Sequence, residues 1–336
     1  MCLPIASLST STQRPSGWDP SKSSRPFVER GQELPDAPQT LLSEEARQVL
    51  GSLEFRPGFL SEGRVSGVHP SSHQGQSLEF SDLKGYSYGD DPRGVDWKVF
   101  ARTDKLYVRR YLDETNLNAY LVLDASGSMG QPQSGRSKLW YAASMLAGLA
   151  YVFLRQGDEV GLLVAHETFS VTCPPRAVPS HLNEILAILS NVRASHATVM
   201  GDTLASVVMA ARKKGVVVLA SDLLTGWDEA LLALRTLAAR GHAVFVLHVL
   251  SPEERQFPFR GTVLFRAAET GESALLDARG LRRRYLANLA RFEENVRMAC
   301  HQAGVFFVPV NMSLEPHEAV ARMIRGTAQR RRTALA

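Results

Sequence analysis

From residue 118 onward, short and mostly apolar runs alternate with longer stretches in which apolar residues recur every three or four positions. Asn118-Ala-Tyr-Leu-Val-Leu123, Val160 to Ala165, Phe169 to Cys173, Val216-Val-Val-Leu-Ala220, Ala243 to Leu250 and Val305 to Val310 read as strands. Between them, Ser137 to Arg155 sets Leu139, Ala142, Ala143, Leu146, Leu149, Ala150 and Phe153 at helical spacing. His181 to Val192, Asp202 to Lys214, Asp228 to Arg240, Leu281 to Ala303 and Pro316 to Arg325 read as further helices. Val263 to Arg266 and Ala274 to Asp277 flank Glu269-Thr-Gly-Glu272, the signal of a hairpin. Strands apolar on both faces and alternating with helices predict an α/β fold, its mostly parallel central sheet covered by helices on both faces.

The first third of the chain has another texture. Residues 1–40 are rich in Ser and Pro and read as a disordered arm. Leu41 to Leu53 fits a short amphipathic helix opening at Ser43. Glycines then punctuate short β-like segments such as Ser77-Leu-Glu-Phe80 and Lys105-Leu-Tyr-Val-Arg109. The expected organisation is an arm (1–40), a short helix with a small β-rich subdomain (41–117), the α/β domain (118–325) and a basic tail (326–336).

Composition narrows the function. Of 336 residues, 44% are hydrophobic and 21% charged, enough for an ordinary core. The formal charge of +4 is mild, and its densest runs, Arg282-Arg-Arg284 and Arg330-Arg-Arg332, lack interleaved aromatics, so nucleic-acid binding is not expected. Cys2, Cys173 and Cys300 are far apart and form no Cys-x-x-Cys pair, which argues against a disulfide framework or a zinc site. His69 and His73 are separated by Pro70, so they do not share a helix face, and His248 reads as a core residue. No run reaches the length of a membrane span and the start lacks a leader pattern, so the expected location is the cytoplasm. The sequence leaves the oligomeric state open.

The candidate chemistry lies at strand ends. Asp124-Ala-Ser-Gly-Ser-Met129 follows the first core strand and offers one carboxylate and two hydroxyls within a turn. These are hard oxygen donors, suited to Mg²⁺, Mn²⁺ or Ca²⁺ rather than to zinc or copper. Asp222 ends a later strand, and Thr198 sits in a loop before a helix. In an open α/β sheet, ligands bind beyond the carboxyl ends of the strands where strand order reverses, which would bring Asp124 and Asp222 to one crevice. The alternative is local, with Asp and Ser only capping the following turn.

The set Asp124, Ser126, Ser128, Thr198 and Asp222 resembles the metal-ion-dependent adhesion site of von Willebrand factor A-type domains, which implies a Rossmann-type sheet and a Mg²⁺-dependent protein contact. Thr203 is the rival for the threonine role. The usual Gly-Gly-Thr is His196-Ala-Thr198 here, while Leu204 fits the apolar position six residues on. A second stretch, Tyr88-Gly-Asp-Asp-Pro-Arg-Gly-Val-Asp-Trp-Lys-Val-Phe-Ala-Arg102, resembles the signature of the bacterial family known as domain of unknown function 58, as does Phe257-Pro-Phe-Arg-Gly261 through Glu269-Thr-Gly-Glu272 to Tyr285. That resemblance implies a MoxR-type AAA+ ATPase as partner. It also implies a role as adaptor in assembling other proteins, with the ion's open position taking an acidic residue of a client. Asp90, Asp91, Arg93, Asp96 and Arg102 read as a structural network of ion pairs and hydrogen bonds, with Trp97 as a packing anchor.

Catalysis finds less support. Ala-Ser-Gly-Ser is not a hydrolase elbow, no phosphate-binding Gly-Lys-Ser/Thr loop is present, and the second acid common in phosphoryl transfer is missing after Asp124. The alternatives kept open are a Mg²⁺- or Mn²⁺-dependent phosphatase or nuclease-like enzyme, and a metal-free scaffold.

Overall fold

The computed structural model describes residues 40–56, 79–88, 90, 92–112, 117–130, 132–133, 136–166, 170–194, 200–266 and 273–334. The expected N-terminal arm and His69 and His73 lie outside them. The chain forms two compact units, residues 63–116 and the remainder.

The first element, α1 (Glu44–Gly51), opens where the sequence placed it: the Ser43 hydroxyl accepts a hydrogen bond from the Ala46 amide at 3.1 Å. The helix was expected to belong with the small subdomain. Instead its apolar face (Ala46 and Leu50, with Leu42 and Phe55 on either side) is buried in the core of the large unit. A two-turn helix is marginal alone and goes where apolar area can be covered. The approach is close, since a Cβ on Gly148 would lie 2.9 Å from Leu50. Ser43→Ala removes the cap and is expected to cost about 1 kcal/mol, read as a lower urea midpoint with an unchanged slope.

The small unit contains β1 (Glu79–Gly85), α2 (Trp97–Thr103) and β2 (Tyr107–Leu112), with β1 and β2 antiparallel. The two strands fall on or beside the expected β-like segments Ser77–Phe80 and Lys105–Arg109. The helix between the strands was not foreseen; it starts because the Asp96 side chain accepts from the amides of Lys98 and Val99.

The large unit follows as β3 (Asn118–Asp124), a two-residue ladder of β4 (Pro132–Gln133) and β5 (Arg136–Ser137), α3 (Lys138–Arg155), β6 (Glu159–Ala165), β7 (Ser170–Arg176), α4 (His181–Asn191), α5 (Met200–Ala210), β8 (Gly215–Ser221), α6 (Trp227–Ala239) and β9 (Ala243–Leu250). Then come α7 (Pro252–Gln256), the hairpin β10 (Thr262–Arg266) and β11 (Ser273–Asp277), α8 (Ala278–Gln302), β12 (Phe306–Asn311) and α9 (Pro316–Ala334). The central sheet has six strands in the order β12-β9-β8-β3-β6-β7, all parallel except β7, which runs antiparallel to β6.

The two faces of β3 feed two cores. Ala119, Leu121 and Leu123 pack with α1, α3, α4 and α9, while Tyr120 and Val122 pack with α5, α6 and α8. Strand alternation thus explains why every residue of the run is apolar. Gly215 lets β8 lie against the start of β3, since a Cβ there would run into the Asn118 carbonyl oxygen. Both outer strands carry proline, Pro309 in β12 and Pro174-Pro175 in β7. Among the described residues no helix is long and apolar enough to cross a membrane.

Candidate functional site

The chain winds outward from β3 in both directions, to β6 and β7 on one side and to β8, β9 and β12 on the other. The reversal therefore falls between β3 and β8, whose parallel register pairs Leu123 with Ala220. That register brings Asp124, Ser221 and Asp222 to the same carboxyl-end rim, as the switch-point rule requires.

All the described members of the predicted set converge there and all are buried: Asp124, Ser126, Ser128 and Asp222. The Asp124 carboxylate accepts from the Ser126 amide at 2.9 Å and from the Ser221 hydroxyl at 2.6 Å. The hydroxyls of Ser126 and Ser128 lie 3.1 Å apart, and Ser128 also bonds Asp222. Ser126 and the short turn over Gly127–Met129 thus fold the motif back toward the rim. Thr198 and Asp91 lie outside the described residues. Thr203, the alternative threonine, is buried on α5.

Three residues that the sequence reading did not assign complete the site. Lys138, the first residue of α3, is buried, and its ammonium is shared between Asp222 at 2.7 Å and Glu254 at 2.6 Å. Glu254 is held in turn by the capping box of α7, its other oxygen accepting from the Ser251 amide at 2.8 Å. Ser221 is the third. One signal was readable for Glu254, because Ser251-x-x-Glu254 is a capping-box pattern. Lys138 sits at the end of a helix where the macrodipole disfavours a cation, a hint that it has anionic partners. His248, expected in the core, is buried beneath the rim, its Nε2 3.2 Å from the Asp222 carbonyl oxygen and its Nδ1 3.4 Å from Glu293, which Arg255 also approaches.

The electrostatics separate the two aspartates. Burial, and next the charge of Asp222, push the Asp124 carboxyl up to about 6. Burial would raise Asp222 as well, but the charge and hydrogen bond of Lys138 hold it below the ordinary range. Asp222 and Glu254 likewise overcome the burial cost on Lys138 and raise its affinity for the proton. With every group ionised, three carboxylates (Asp124, Asp222 and Glu254) face one ammonium, a formal excess of two negative charges among buried residues.

The donor set fits a small divalent cation. It is entirely oxygen, and the excess charge matches. Adjacent ligands about 2.1 Å from an octahedral Mg²⁺ stand about 3.0 Å apart, close to the separation of the two serine hydroxyls. A second cluster, Cys173, His181 and Glu184, is satisfied without an ion. His181 meets the Val160 carbonyl oxygen at 2.9 Å and Glu184 at 3.0 Å, and Arg176 pairs with Glu184 at 3.1 Å.

In the small unit, Asp90 pairs with Lys84 at 3.0 Å and accepts from the Ser87 amide, and Asp96 caps α2. Arg93 is exposed, and the exposed Arg102 reaches the Lys98 carbonyl at 3.4 Å. Trp97, expected as a packing anchor, is 63% exposed and meets Phe100 edge-on at 6.1 Å.

The fold and rim define an α/β protein with an acidic, hydroxyl-lined site at the switch point of its sheet. The chain belongs to the family described as "Protein of unknown function DUF58", whose profile matches residues 82–295. An uncharacterized protein of Mycobacterium tuberculosis is 29% identical over 295 residues, spanning 86% of this chain and 90% of that protein, and one from Mycobacterium bovis matches equally. Among solved structures, the conserved hypothetical protein BatB from Bacteroides thetaiotaomicron aligns with a TM-score of 0.43 at 20% identity, covering 64% of this chain and 100% of that chain.

Proposed function

We propose that this chain is a divalent-cation-dependent protein-interaction protein whose α/β unit works like a von Willebrand factor A-type domain. Asp124, Ser126, Ser128 and Asp222 would hold Mg²⁺ at the switch point, and the ion would supply an open coordination position for an acidic residue of a partner. The observation that carries this reading is the buried excess of two negative charges next to paired hydroxyls. Uncompensated buried charge is costly, and a divalent ion removes the cost. An adaptor role beside a MoxR-type AAA+ ATPase draws its support from the family resemblance of the 88–102 stretch.

This chain's own groups have separate tasks. The Ser126 amide and the Ser221 hydroxyl fix the Asp124 carboxylate from two directions. The Leu224 amide, 3.2 Å from Asp222, fixes the second carboxylate. A scaffold that needs no ion has one observation in its favour, since Lys138 already gives Asp222 a positive partner.

Calorimetric titration with Mg²⁺ separates these readings. The wild-type chain is expected to bind the ion, and Asp124→Ala to reduce affinity by about a hundredfold or more, as loss of a direct charged ligand should. Equal heats from both proteins would exclude this rim as the ion's seat. An affinity pull-down with Mg²⁺ and with chelator, analysed for an AAA+ ATPase, tests the partner. Recovery of the ATPase that does not depend on the ion would remove the proposed contact.

A further inference from the structure

The proposed site contains a cation of its own. Lys138 is only 1% exposed and touches two carboxylates at once. One of them, Asp222, is a candidate metal ligand; the other, Glu254, is anchored by its remaining oxygen in the capping box of α7 and is not free to follow the ammonium. Neither contact is a surface ion pair, so water and salt screen them little. Asp124, by contrast, has hydroxyl and amide partners in the set described above and no lysine.

Resting on the metal reading, we infer that Lys138 is a positioning residue that sets the affinity of the site: its ammonium holds Asp222 on the rim and competes with the divalent cation for that carboxylate, while Glu254 draws the ammonium the other way. Three consequences follow from Coulomb's law at these separations. Removing the Lys138 charge leaves Asp222 and Glu254 facing each other, so the metal-free protein loses stability. The same change frees Asp222 for the ion, so Mg²⁺ binds more tightly. Neutralising Glu254 leaves Lys138 to Asp222 alone, so Mg²⁺ binds more weakly.

The test is Mg²⁺ titration calorimetry together with thermal unfolding in Mg²⁺ and in chelator, on the full chain. Lys138→Met is expected to tighten Mg²⁺ binding by about tenfold or more, and to show a larger rise in Tm on adding Mg²⁺ than wild type shows. Should Lys138→Met fold only in Mg²⁺, that dependence is itself the expected result. Glu254→Gln keeps a residue compatible with the capping box, so it should fold, and is expected to weaken binding several-fold. A merely structural lysine would lower Tm equally with and without Mg²⁺ and leave affinity unchanged, which would overturn the inference. If wild type binds Mg²⁺, Asp124→Ala weakens binding as expected, and Lys138→Met binds no more tightly than wild type, this inference fails while the site stands. If wild type binds no Mg²⁺, both fail together.

Discussion

In chelator, Asp124→Asn is expected to be more stable than wild type at pH 7 by about 3 kcal/mol, and about equally stable near pH 4. The gap between an ordinary carboxyl and one near 6 corresponds to that energy. A raised carboxyl favours the folded state when protonated. Its contribution is fully present below the unfolded value of about 3.8 and is lost as the pH rises through about 6. Asn keeps an oxygen acceptor for the Ser126 amide, presents its NH2 to the Ser221 hydroxyl, which can rotate to accept from it, and has no proton to lose. Asp222 titrates in the opposite sense, since its depressed carboxyl contributes stability above its unfolded value and loses it in acid. The difference between the two proteins therefore reports Asp124 together with its interaction with Asp222. Urea denaturation from pH 4 to 8 measures it. A difference that stays flat across that range would show that Asp124 is not the group under strain. In saturating Mg²⁺ the order should reverse, because only wild type gains the free energy of binding.

The second large effect is expected far from the chemistry. Phe245→Ala should cost about 3–5 kcal/mol, the usual penalty for emptying a buried aromatic site. Phe245 lies in β9 with 1% exposure. Its ring stacks on Phe306 of β12 at 4.8 Å and meets Phe55 edge-on at 5.4 Å. Phe55 follows α1 and touches Phe153 of α3 at 5.3 Å, so one ring joins the outermost parallel strand to the segment after the first helix. Loss of the urea midpoint with retained Mg²⁺ affinity would separate core from site. A destabilisation under 1 kcal/mol would mean that this corner repacks.

The sheet was legible because its signal is redundant. The inner strands β3, β6, β8 and β9 are apolar runs several residues long, and each crossover helix carries many periodic positions, so propensity and burial agree. Asp124 and Asp222 were legible because strand ends are where such a sheet places ligands. The rest depended on contacts distant in sequence. Lys138 meets Glu254 across 116 positions, and nothing local to Lys138 names that partner. The helix α2 went unread because its capping aspartate looked like one more charge in a crowded turn. The placement of α1 was missed because amphipathic spacing shows that a face is covered without showing by what.

The prolines at both margins of the sheet have a consequence for assembly. A strand arriving beside β12 or β7 would find the row of backbone N–H groups broken, at Pro309 on one side and at Pro174 and Pro175 on the other. Fibril-like growth by strand addition is thereby discouraged at either margin. The free margins of the sheet are thus poor places to add a further strand, and the sheet serves as an interior scaffold.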